Sequence, residues 1–220
     1  AGKAALNAHY KRIGWNARAQ EGAVDGWYQT KFTLKEEPLV SILIPNKDHT
    51  DDLDVCLNSF FERADYQNYE FIIIENNSVL PETFAYYEKI EKEHDNVKVV
   101  YWEAGFNYST INNFGFKFAK GDYIMLLNND VELITSDIFQ SMLGFCMRPE
   151  VGIVGAKLLY NDHTVQHAGV LVGAGGLADH VFKGIHEDDP GYMGRAISSQ
   201  DVSAVTAACL LVKRSVYEEV

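Results

Sequence analysis

The sequence predicts an α/β fold with a mainly parallel β-sheet flanked by helices, and three observations predict it. Short apolar runs alternate with helical segments from residue 39 to residue 159, which is the pattern of strand–helix–strand units. A short run such as residues 39–44 is typical of a buried parallel strand. Of the 220 residues, 47% are apolar, enough to bury a core. After residue 160 the alternation fades, and we expect a mixed, loop-rich second half that closes one side of the sheet's crevice.

The predicted elements follow one another in a regular order. Strands are expected at residues 39–44, 69–74, 97–102, 123–127 and 151–159, and helices at residues 53–63, 81–93, 109–119 and 136–147. Asp51 and Asp52 favour the start of the first of these helices, because acidic side chains interact favourably with a helix N-terminus. Gly121 is expected to terminate the helix at 109–119 in the left-handed conformation, which glycine adopts without strain.

Residues 1–37 differ from the regular part of the chain. Residues 4–13 have helical character, and residues 27–34 alternate loosely, as a strand does. Pro38 separates this segment from the first predicted strand of the regular part. We expect residues 1–37 to be a lead-in element or the tail of an upstream domain, followed by the main domain at residues 38–220. Because the first residue is Ala rather than Met, the chain is expected to be a piece of a longer protein.

Composition and charge exclude several classes of function. The chain has 31 acidic and 19 basic residues and a formal net charge of −12, which argues against nucleic-acid binding. A phosphorylated small molecule stays possible, because a divalent metal can bridge two negative groups. The three cysteines are far apart, which predicts neither a disulfide framework nor a zinc site and favours a reducing, cytoplasmic compartment. No apolar stretch reaches the roughly twenty residues of a membrane-spanning helix.

Acidic residues follow the predicted strands at the point where each strand ends. Asp48, Glu75 and Asp130 come after the first, second and fourth strands. Neighbouring ends of a parallel sheet open into one crevice, so these three side chains could converge there. Such carboxylates suit two tasks, which are accepting a hydrogen bond from a base or ribose and holding Mg²⁺ or Mn²⁺ beside phosphate oxygens. The alternative, that Glu75 and Asp130 are turn and cap residues, stays open.

Signature motifs of several other enzyme classes do not occur in the sequence. The loop after the first strand is not a glycine-rich dinucleotide fingerprint, and the sequence contains no P-loop. It also has no Gly-x-Ser-x-Gly elbow of an α/β-hydrolase. Four histidines, at positions 163, 167, 180 and 186, lie close together in sequence. We expect them to be polar loop residues, although the acidic residues around His180 and His186 leave a role beside a metal open.

Four motifs occur in one order along residues 38–220. They are Val40-Ser-Ile-Leu-Ile-Pro45, Phe71-Ile-Ile-Ile-Glu-Asn-Asn-Ser78, Asn113-x-Gly115-x-x-x-Ala119-x-Gly121-Asp122-Tyr123 and Leu126-Leu-Asn-Asn-Asp-Val131. In this combination the chain resembles a family 2 inverting glycosyltransferase of the GT-A fold. The Asn-Asn-Asp-Val form and the segment His167-Ala-Gly169 are similar to bacterial O-antigen and rhamnosyltransferase-like members.

The resemblance implies a donor site for a nucleotide-diphospho-sugar. The loop at 45–48 would line the base and ribose, Glu75 would accept a hydrogen bond from the uracil or thymine N–H, and residues 206–209 would lie near donor and acceptor. Residues 128–130 match the Asp-x-Asp motif, with an uncharged Asn in place of the first Asp. The implied donor-binding residues are Pro45, Asn46, Asp48, Glu75, Asn113, Asn128 and Asn129, with Asp130 as the ligand of Mg²⁺ or Mn²⁺.

The resemblance also implies an activity. A sugar would pass with inversion from a UDP- or dTDP-linked donor to a saccharide or lipid-linked acceptor, in cell-surface polysaccharide synthesis. Peripheral association with the inner face of the membrane would come through such an acceptor. The family's catalytic base belongs to a later acidic motif, so we expect it beyond residue 220. Two alternatives stay open, a non-catalytic nucleotide-sugar-binding module and a nucleotidyltransferase, although residues 46–51 lack the glycine-rich loop of the latter class.

Overall fold

The computed structural model describes residues 1–22, 24–173 and 176–220. Its helices are α1 (Gly2–Arg12), α2 (Thr50–Arg63), α3 (Pro81–Glu93), α4 (Tyr108–Phe116), α5 (Ile138–Cys146) and α6 (Arg214–Tyr217). Its strands are β1 (Ala17–Glu21), β2 (Tyr28–Phe32), β3 (Val40–Asn46), β4 (Tyr69–Glu75), β5 (Val97–Tyr101), β6 (Tyr123–Leu127), β7 (Ile153–Gly155), β8 (Leu158–Leu159), β9 (Val165–His167), β10 (Val170–Val172), β11 (Ala178–His180) and β12 (Cys209–Lys213). Among these described elements, no helix combines the length and apolar character needed to cross a lipid bilayer.

Six of the described strands form one central sheet in the spatial order β5-β4-β3-β6-β12-β7. The strands β5, β4, β3 and β6 run parallel to one another, whereas β12 runs antiparallel to both β6 and β7. The predicted α/β fold with a mainly parallel sheet is therefore confirmed. In the parallel part, the chain passes from β3 outward to β4 and β5 and then returns to the other side of β3 as β6. The strand order thus reverses between β3 and β6.

Helices cover both faces of the sheet, because successive strand residues point to opposite faces. Along β3, Val40, Ile42 and Ile44 belong to a buried cluster that includes side chains of α2, α3 and α5. Leu43 belongs to the cluster on the other face, which it shares with Ile111 of α4. The helices between the parallel strands match the predicted ones with shifted ends, and α2 carries Asp51 and Asp52 in its first turn as predicted.

The second half is mixed and loop-rich, as predicted, but the strand expected at 151–159 is wrong. That segment is divided into β7, which pairs with β12, and β8, which pairs with β9 in a separate two-stranded sheet. The division occurs where the partner strand begins: Ala156 N donates to Cys209 O, at the first residue of β12. Apolar character predicts extended backbone but does not say which partner strand each residue will have.

The predicted left-handed helix cap at Gly121 is also wrong. Helix α4 ends at Phe116, followed by Lys117 in right-handed helical conformation, and Gly121 does not have a positive φ. Glycine is needed there for space, since a Cβ would lie 2.8 Å from Ser41 N and closer still to Leu39 O. The backbone before β6 therefore lies directly against the start of β3, and Gly121 N donates to Ser41 Oγ at 2.8 Å.

The segment at residues 1–37 folds as α1 and an antiparallel hairpin of β1 and β2. The hairpin packs on α5, where the Phe32 and Phe145 rings meet edge to face with centroids 4.8 Å apart. Lys31 also pairs with Asp137, at the start of α5. Strand β1 was not predicted, because its sequence Ala-Arg-Ala-Gln-Glu carries no β-branched or aromatic residue. The assignment of this segment to a lead-in or an upstream domain stays a prediction.

Candidate functional site

A cavity of about 460 Å³ opens at the carboxyl ends of β3 and β6. These are the strands between which the strand order reverses, and open α/β sheets bind ligands at such a point. From the predicted set, the cavity is lined by Pro45, Asn46, Asn128 and Asn129. Sequence reasoning placed residues 206–209 nearby, and Thr206, Ala207 and Ala208 do line the cavity. Lys47 of the predicted loop at 45–48 also lines the cavity. Four further residues complete the lining without having been assigned a role from the sequence: His49, Asn76, Phe106 and Tyr108.

A chain of buried hydrogen bonds connects Glu75 to the Asn128-Asn129-Asp130 segment. Asn129 Nδ2 donates to Asn46 Oδ1 at 2.7 Å, and Asn46 Nδ2 donates to the Tyr87 hydroxyl at 2.7 Å. The Tyr87 hydroxyl in turn donates to Glu75 Oε2 at 2.9 Å. Burial, with the Glu75 carboxylate beside it, raises the Tyr87 pKa, so the hydroxyl keeps its proton. The Asn129 amide is therefore oriented by a network that begins at a carboxylate at the end of β4, on the far side of β3 from β6.

Glu75 does not line the cavity. Its side chain is 3% exposed, and its Oε1 accepts a hydrogen bond from Ser78 N, while its Oε2 accepts from the hydroxyls of Ser78 and Tyr87. The carboxylate thus holds together the loop that follows β4. The sequence analysis left two roles open for Glu75, a turn residue or an acceptor for the base. These hydrogen bonds are those of a turn residue.

Asp48 is engaged in a similar way. Its Oδ1 accepts hydrogen bonds from Val79 N at 3.0 Å, Leu80 N at 3.1 Å and Thr83 Oγ1 at 3.2 Å. Burial alone would raise the Asp48 pKa, but these hydrogen bonds outweigh it and lower the pKa. Because Asp48 accepts from the N–H groups of the two residues just before α3, it connects the loop after β3 to the loop after β4.

The two remaining predicted residues lie outside the cavity lining. Asp130 is exposed, and within the described part of the chain no hydrogen bond or ion pair engages its carboxylate. Asn113 is exposed on α4, and its Oδ1 accepts a hydrogen bond from the Tyr217 hydroxyl at 2.9 Å. The neighbouring Asn112 is the buried one, at 1% exposure, so the helix turns Asn113 toward α6 instead.

Residues 206–208 form one wall of the cavity. The Tyr108 hydroxyl donates to Ala207 O at 3.0 Å, and Asn128 N donates to Ala208 O at 3.0 Å. Thr206 N lies 3.4 Å from His167 Nε2. The wall is thus fastened to α4, to the segment after β6 and to β9, which explains how a segment far away in sequence comes to face the loop after β3.

Comparison with known proteins decides the family. The sequence model of Glycosyl transferase family 2 matches residues 41–220. The chain belongs to glycosyl transferase family 2. This confirms the resemblance inferred from the four motifs, which all fall within or directly beside the matched residues.

Two relatives and one solved structure define what this family 2 chain is similar to. The uncharacterized protein y4gI of Sinorhizobium fredii (strain NBRC 101917 / NGR234) is 38% identical over 100% of this chain and 24% of its own length. The O-antigen biosynthesis protein RfbC of Myxococcus xanthus is 36% identical over 99% of this chain and 17% of its own length. The chain therefore spans a minor part of either relative.

One solved structure with a similar fold is the mannosyltransferase PcManGT of Pyrobaculum calidifontis in complex with GDP-Man and Mn²⁺. The TM-score is 0.52 at 14% identity, over 71% of this chain and 44% of that one. The likeness shows the fold, and it confirms that this family 2 chain has the GT-A fold.

Replacing Tyr87 with Phe tests the buried network. We expect Tyr87→Phe to lower the free energy of unfolding by about 1 to 3 kcal/mol, because Asn46 and Glu75 both lose a buried partner. Urea denaturation measures the change. Tyr86→Phe is the matched control, because the Tyr86 hydroxyl is also buried but has no hydrogen-bond partner among the described residues. Burial and the nearby Asp54 raise the Tyr86 pKa, so this hydroxyl, like that of Tyr87, keeps its proton. Equal losses in the two variants would show that the network adds nothing.

The His167 side chain predicts a dependence of stability on pH. Burial, and then the neighbouring His180, lower the His167 pKa from 6.5 to about 4. The unfolded chain therefore binds a proton at a higher pH than the folded chain does, so stability falls as the pH falls from 6.5 toward 4. Between pH 7 and pH 4.5 we expect His167 to contribute a loss of about 2 to 3 kcal/mol. Urea denaturation of the wild type and His167→Gln at both pH values isolates this contribution, which the variant must lack.

Proposed function

We propose that this chain forms the donor-binding part of a glycosyltransferase that acts in cell-surface polysaccharide synthesis. It would transfer a sugar, with inversion, from a UDP- or dTDP-linked donor to a saccharide or lipid-linked acceptor. The observation that carries the proposal is the cavity at the β3–β6 reversal, which brings Pro45 and Asn46 opposite Asn128 and Asn129. The name of RfbC supports the polysaccharide context. A lipid-linked acceptor would place the protein in the cytoplasm at the inner face of the membrane.

Within this proposal, the cavity residues divide into groups that suit the parts of the donor. Lys47 brings positive charge to the lining of a chain whose net charge is −12, and His49 brings ring nitrogens that can hydrogen-bond to diphosphate oxygens. Phe106 lines the cavity and is 69% exposed, which leaves its ring available to stack on a base. The half-buried Asn128 and Asn129 supply amides for hydrogen bonds to the base and ribose, whereas the Asn46 amide, at 3% exposure, is held inside the buried network. Asn113 and Glu75 would act from outside the lining, on the shape of the site.

The residues present fit a divalent metal that is held by one carboxylate together with the phosphates of the donor. Among the described residues, no three side chains of His, Cys, Asp or Glu are grouped so that they could hold a metal ion. This finding also covers the described histidines and acidic residues of the second half. Asp130 offers an exposed carboxylate directly after the lining residues Asn128 and Asn129. Mg²⁺ is commonly held by one or two carboxylates together with substrate phosphates, and PcManGT was solved with Mn²⁺. Asp130 would hold Mg²⁺ or Mn²⁺, and the chemistry supplied by the ion would be positive charge that stabilises the leaving diphosphate.

The proposed reaction is a single displacement. The acceptor hydroxyl oxygen bonds to the anomeric carbon as the bond from that carbon to the diphosphate oxygen breaks. The nucleoside diphosphate leaves with the electron pair, and a carboxylate base takes the hydroxyl proton. Neither Asp48 nor Glu75 is assigned as that base, because each holds hydrogen bonds inside its own loop. The chain's own contribution is then to bind and orient the donor.

Calorimetric titration with UDP and dTDP, each with and without Mn²⁺, tests donor binding. We expect one of the nucleotides to bind, with an affinity that Mn²⁺ raises. Absence of binding by both nucleotides with Mn²⁺ present would overturn the proposal.

Phosphorus NMR of the chain with nucleotide-sugar, acceptor saccharide and Mn²⁺ then separates the functions. Release of UDP or dTDP indicates transfer, and release of pyrophosphate indicates a nucleotidyltransferase. Donor binding without release indicates the binding module, which the uncharged Asn128 in the metal motif favours as the second candidate.

A further inference from the structure

His167 is a buried histidine that contacts the cavity wall from behind. It is 1% exposed and ends β9, outside the residues that line the cavity. On one side its Nε2 lies 3.4 Å from Thr206 N, and on the other its Nδ1 lies 3.1 Å from His180 Nδ1. Both ring nitrogens therefore contact groups on other segments, and the imidazole connects β11 to the wall at residues 206–208.

The hydrogen bond from Thr206 selects one arrangement of protons on the His167 ring. A backbone N–H can only donate, so the hydrogen bond from Thr206 requires a lone pair on His167 Nε2. The His167 proton then resides on Nδ1 and is donated to His180 Nδ1, which must accept. His180 Nδ1 also lies 3.2 Å from Gln166 O, but it can donate to that carbonyl only if the bond from His167 is lost. In this arrangement His180 Nδ1 is the acceptor for the His167 Nδ1 proton, and the contact between the two rings holds His167 in this tautomer.

Gly169 and Val170, which follow His167, contact the residues that lead into the wall at residues 206–208. Gly169 has φ +114, and a Cβ there would lie 2.6 Å from the Val202 side chain. Val170 N donates to Ala204 O at 2.9 Å. The segment His167-Ala-Gly169 therefore carries a hydrogen-bonding residue for Thr206 and a glycine that admits Val202. This gives a physical reason for a motif that the donor site itself does not use.

We propose that His167 is a positioning residue for the donor cavity, which holds the wall at residues 206–208 through its Nε2 acceptor in a tautomer fixed by His180. Its effect on donor binding rests on the proposed function. Tyr108 and Asn128 hold Ala207 and Ala208, and Val170 N holds Ala204 O. Among the described residues, His167 is the partner of the Thr206 backbone N–H between these attachments. Moving Thr206 would change the width of the cavity opposite Asn46.

Three variants distinguish the effect of the His167 hydrogen bond from the effect of the size of its ring. His167→Gln keeps an acceptor able to reach Thr206 N, whereas His167→Phe keeps a ring of similar size without an acceptor. His186→Gln is the control at an exposed histidine of the same half of the chain. With UDP and dTDP in Mn²⁺, we expect His167→Phe to weaken binding about tenfold, the equivalent of one hydrogen bond, and the other two to stay within about threefold of wild type.

Two NMR measurements on the unliganded chain decide the positioning role without nucleotide. Nitrogen-15 shifts should identify His167 as the neutral tautomer with its proton on Nδ1 at pH 7. The Thr206 amide should be protected from hydrogen exchange in wild type and His167→Gln, and lose protection in His167→Phe. His180 and the adjacent Asp179 are the titratable residues around the pair, and His180→Gln should alter the His167 tautomer shifts.

The outcomes are distinguishable from failure of the proposed function. A proton on His167 Nε2, or unchanged Thr206 protection in His167→Phe, overturns the positioning role whatever the nucleotide results. If wild type binds neither nucleotide, the donor proposal fails, and the exchange data still decide whether His167 holds the wall. If His167→Phe does not fold, the wild-type tautomer and the affinity of His167→Gln remain decisive, and a tenfold loss in His167→Gln overturns the proposal.

Discussion

Replacing Asp130 with Asn is expected to remove the contribution of Mn²⁺ to nucleotide affinity. The carboxylate is exposed beside the cavity, and no cluster of other potential ligands exists among the described residues to replace it. Asn keeps the size and one carbonyl oxygen but loses the charge that a hard divalent cation prefers. With Mn²⁺ present, we expect UDP or dTDP to bind at least about tenfold more weakly, a difference of about 1.4 kcal/mol. Calorimetric titration measures it directly.

Asp122→Asn is the matched control for this variant. Asp122 is also exposed and lies just before β6, at the opposite end of the strand from Asp130. Its replacement changes the net charge by the same amount, so a general electrostatic effect would appear in both variants. Unchanged affinity in Asp130→Asn with Mn²⁺ present would show that Asp130 does not hold the metal.

Gly121→Ala is expected to destabilise the fold strongly. The added Cβ would lie 2.8 Å from Ser41 N and closer to Leu39 O, and both are backbone atoms at the start of the central strand β3. Side-chain overpacking in cores costs about 1 to 3 kcal/mol. Because backbone cannot rotate away as a side chain can, we expect about 3 kcal/mol or more here. Urea denaturation of the purified chain measures the loss.

Two further variants discriminate the cause at Gly121. Gly105→Ala adds the same methyl group where no atom lies within 4 Å, and its stability should stay close to that of wild type. Gly121→Asn separates crowding from helix capping, because asparagine tolerates the left-handed cap conformation. Near-native stability of Gly121→Asn would restore the cap interpretation and contradict the close approach of the two backbone segments.

Much of the fold could be predicted, because it depends on local patterns. Apolar runs such as residues 69–74 are long enough to mark buried strands, and Pro81 and Asp51 mark helix starts. The failures arise where a partner decides the outcome. Residues 151–159 are apolar, but the start of β12 at Cys209 sets where their pairing changes. Gly121 has the sequence context of a cap, but contact with Leu39, far away in the chain, determines its role.

The site was predictable to a similar degree. Strand order places Asn46 and Asn128 at one cavity, as the rule for parallel sheets predicts. The hydrogen bonds that engage Asp48 and Glu75 could not be predicted, because they depend on Ser78, Thr83 and Tyr87 coming into register across a loop and a helix. His167 carries a motif in sequence, but its partner Thr206 is 39 residues away. Side-chain networks of this kind have no signature in local composition.

Paramagnetic broadening by Mn²⁺ in the amide spectrum of the nitrogen-15-labelled chain, recorded with saturating UDP or dTDP, tests the central claim most directly. A donor site at the β3–β6 reversal predicts that the strongest broadening falls on residues 46–49, 128–130 and 206–208, and that it weakens without nucleotide. Broadening centred on the histidine- and acid-rich segment at residues 179–189, or the same pattern with and without nucleotide, would contradict it.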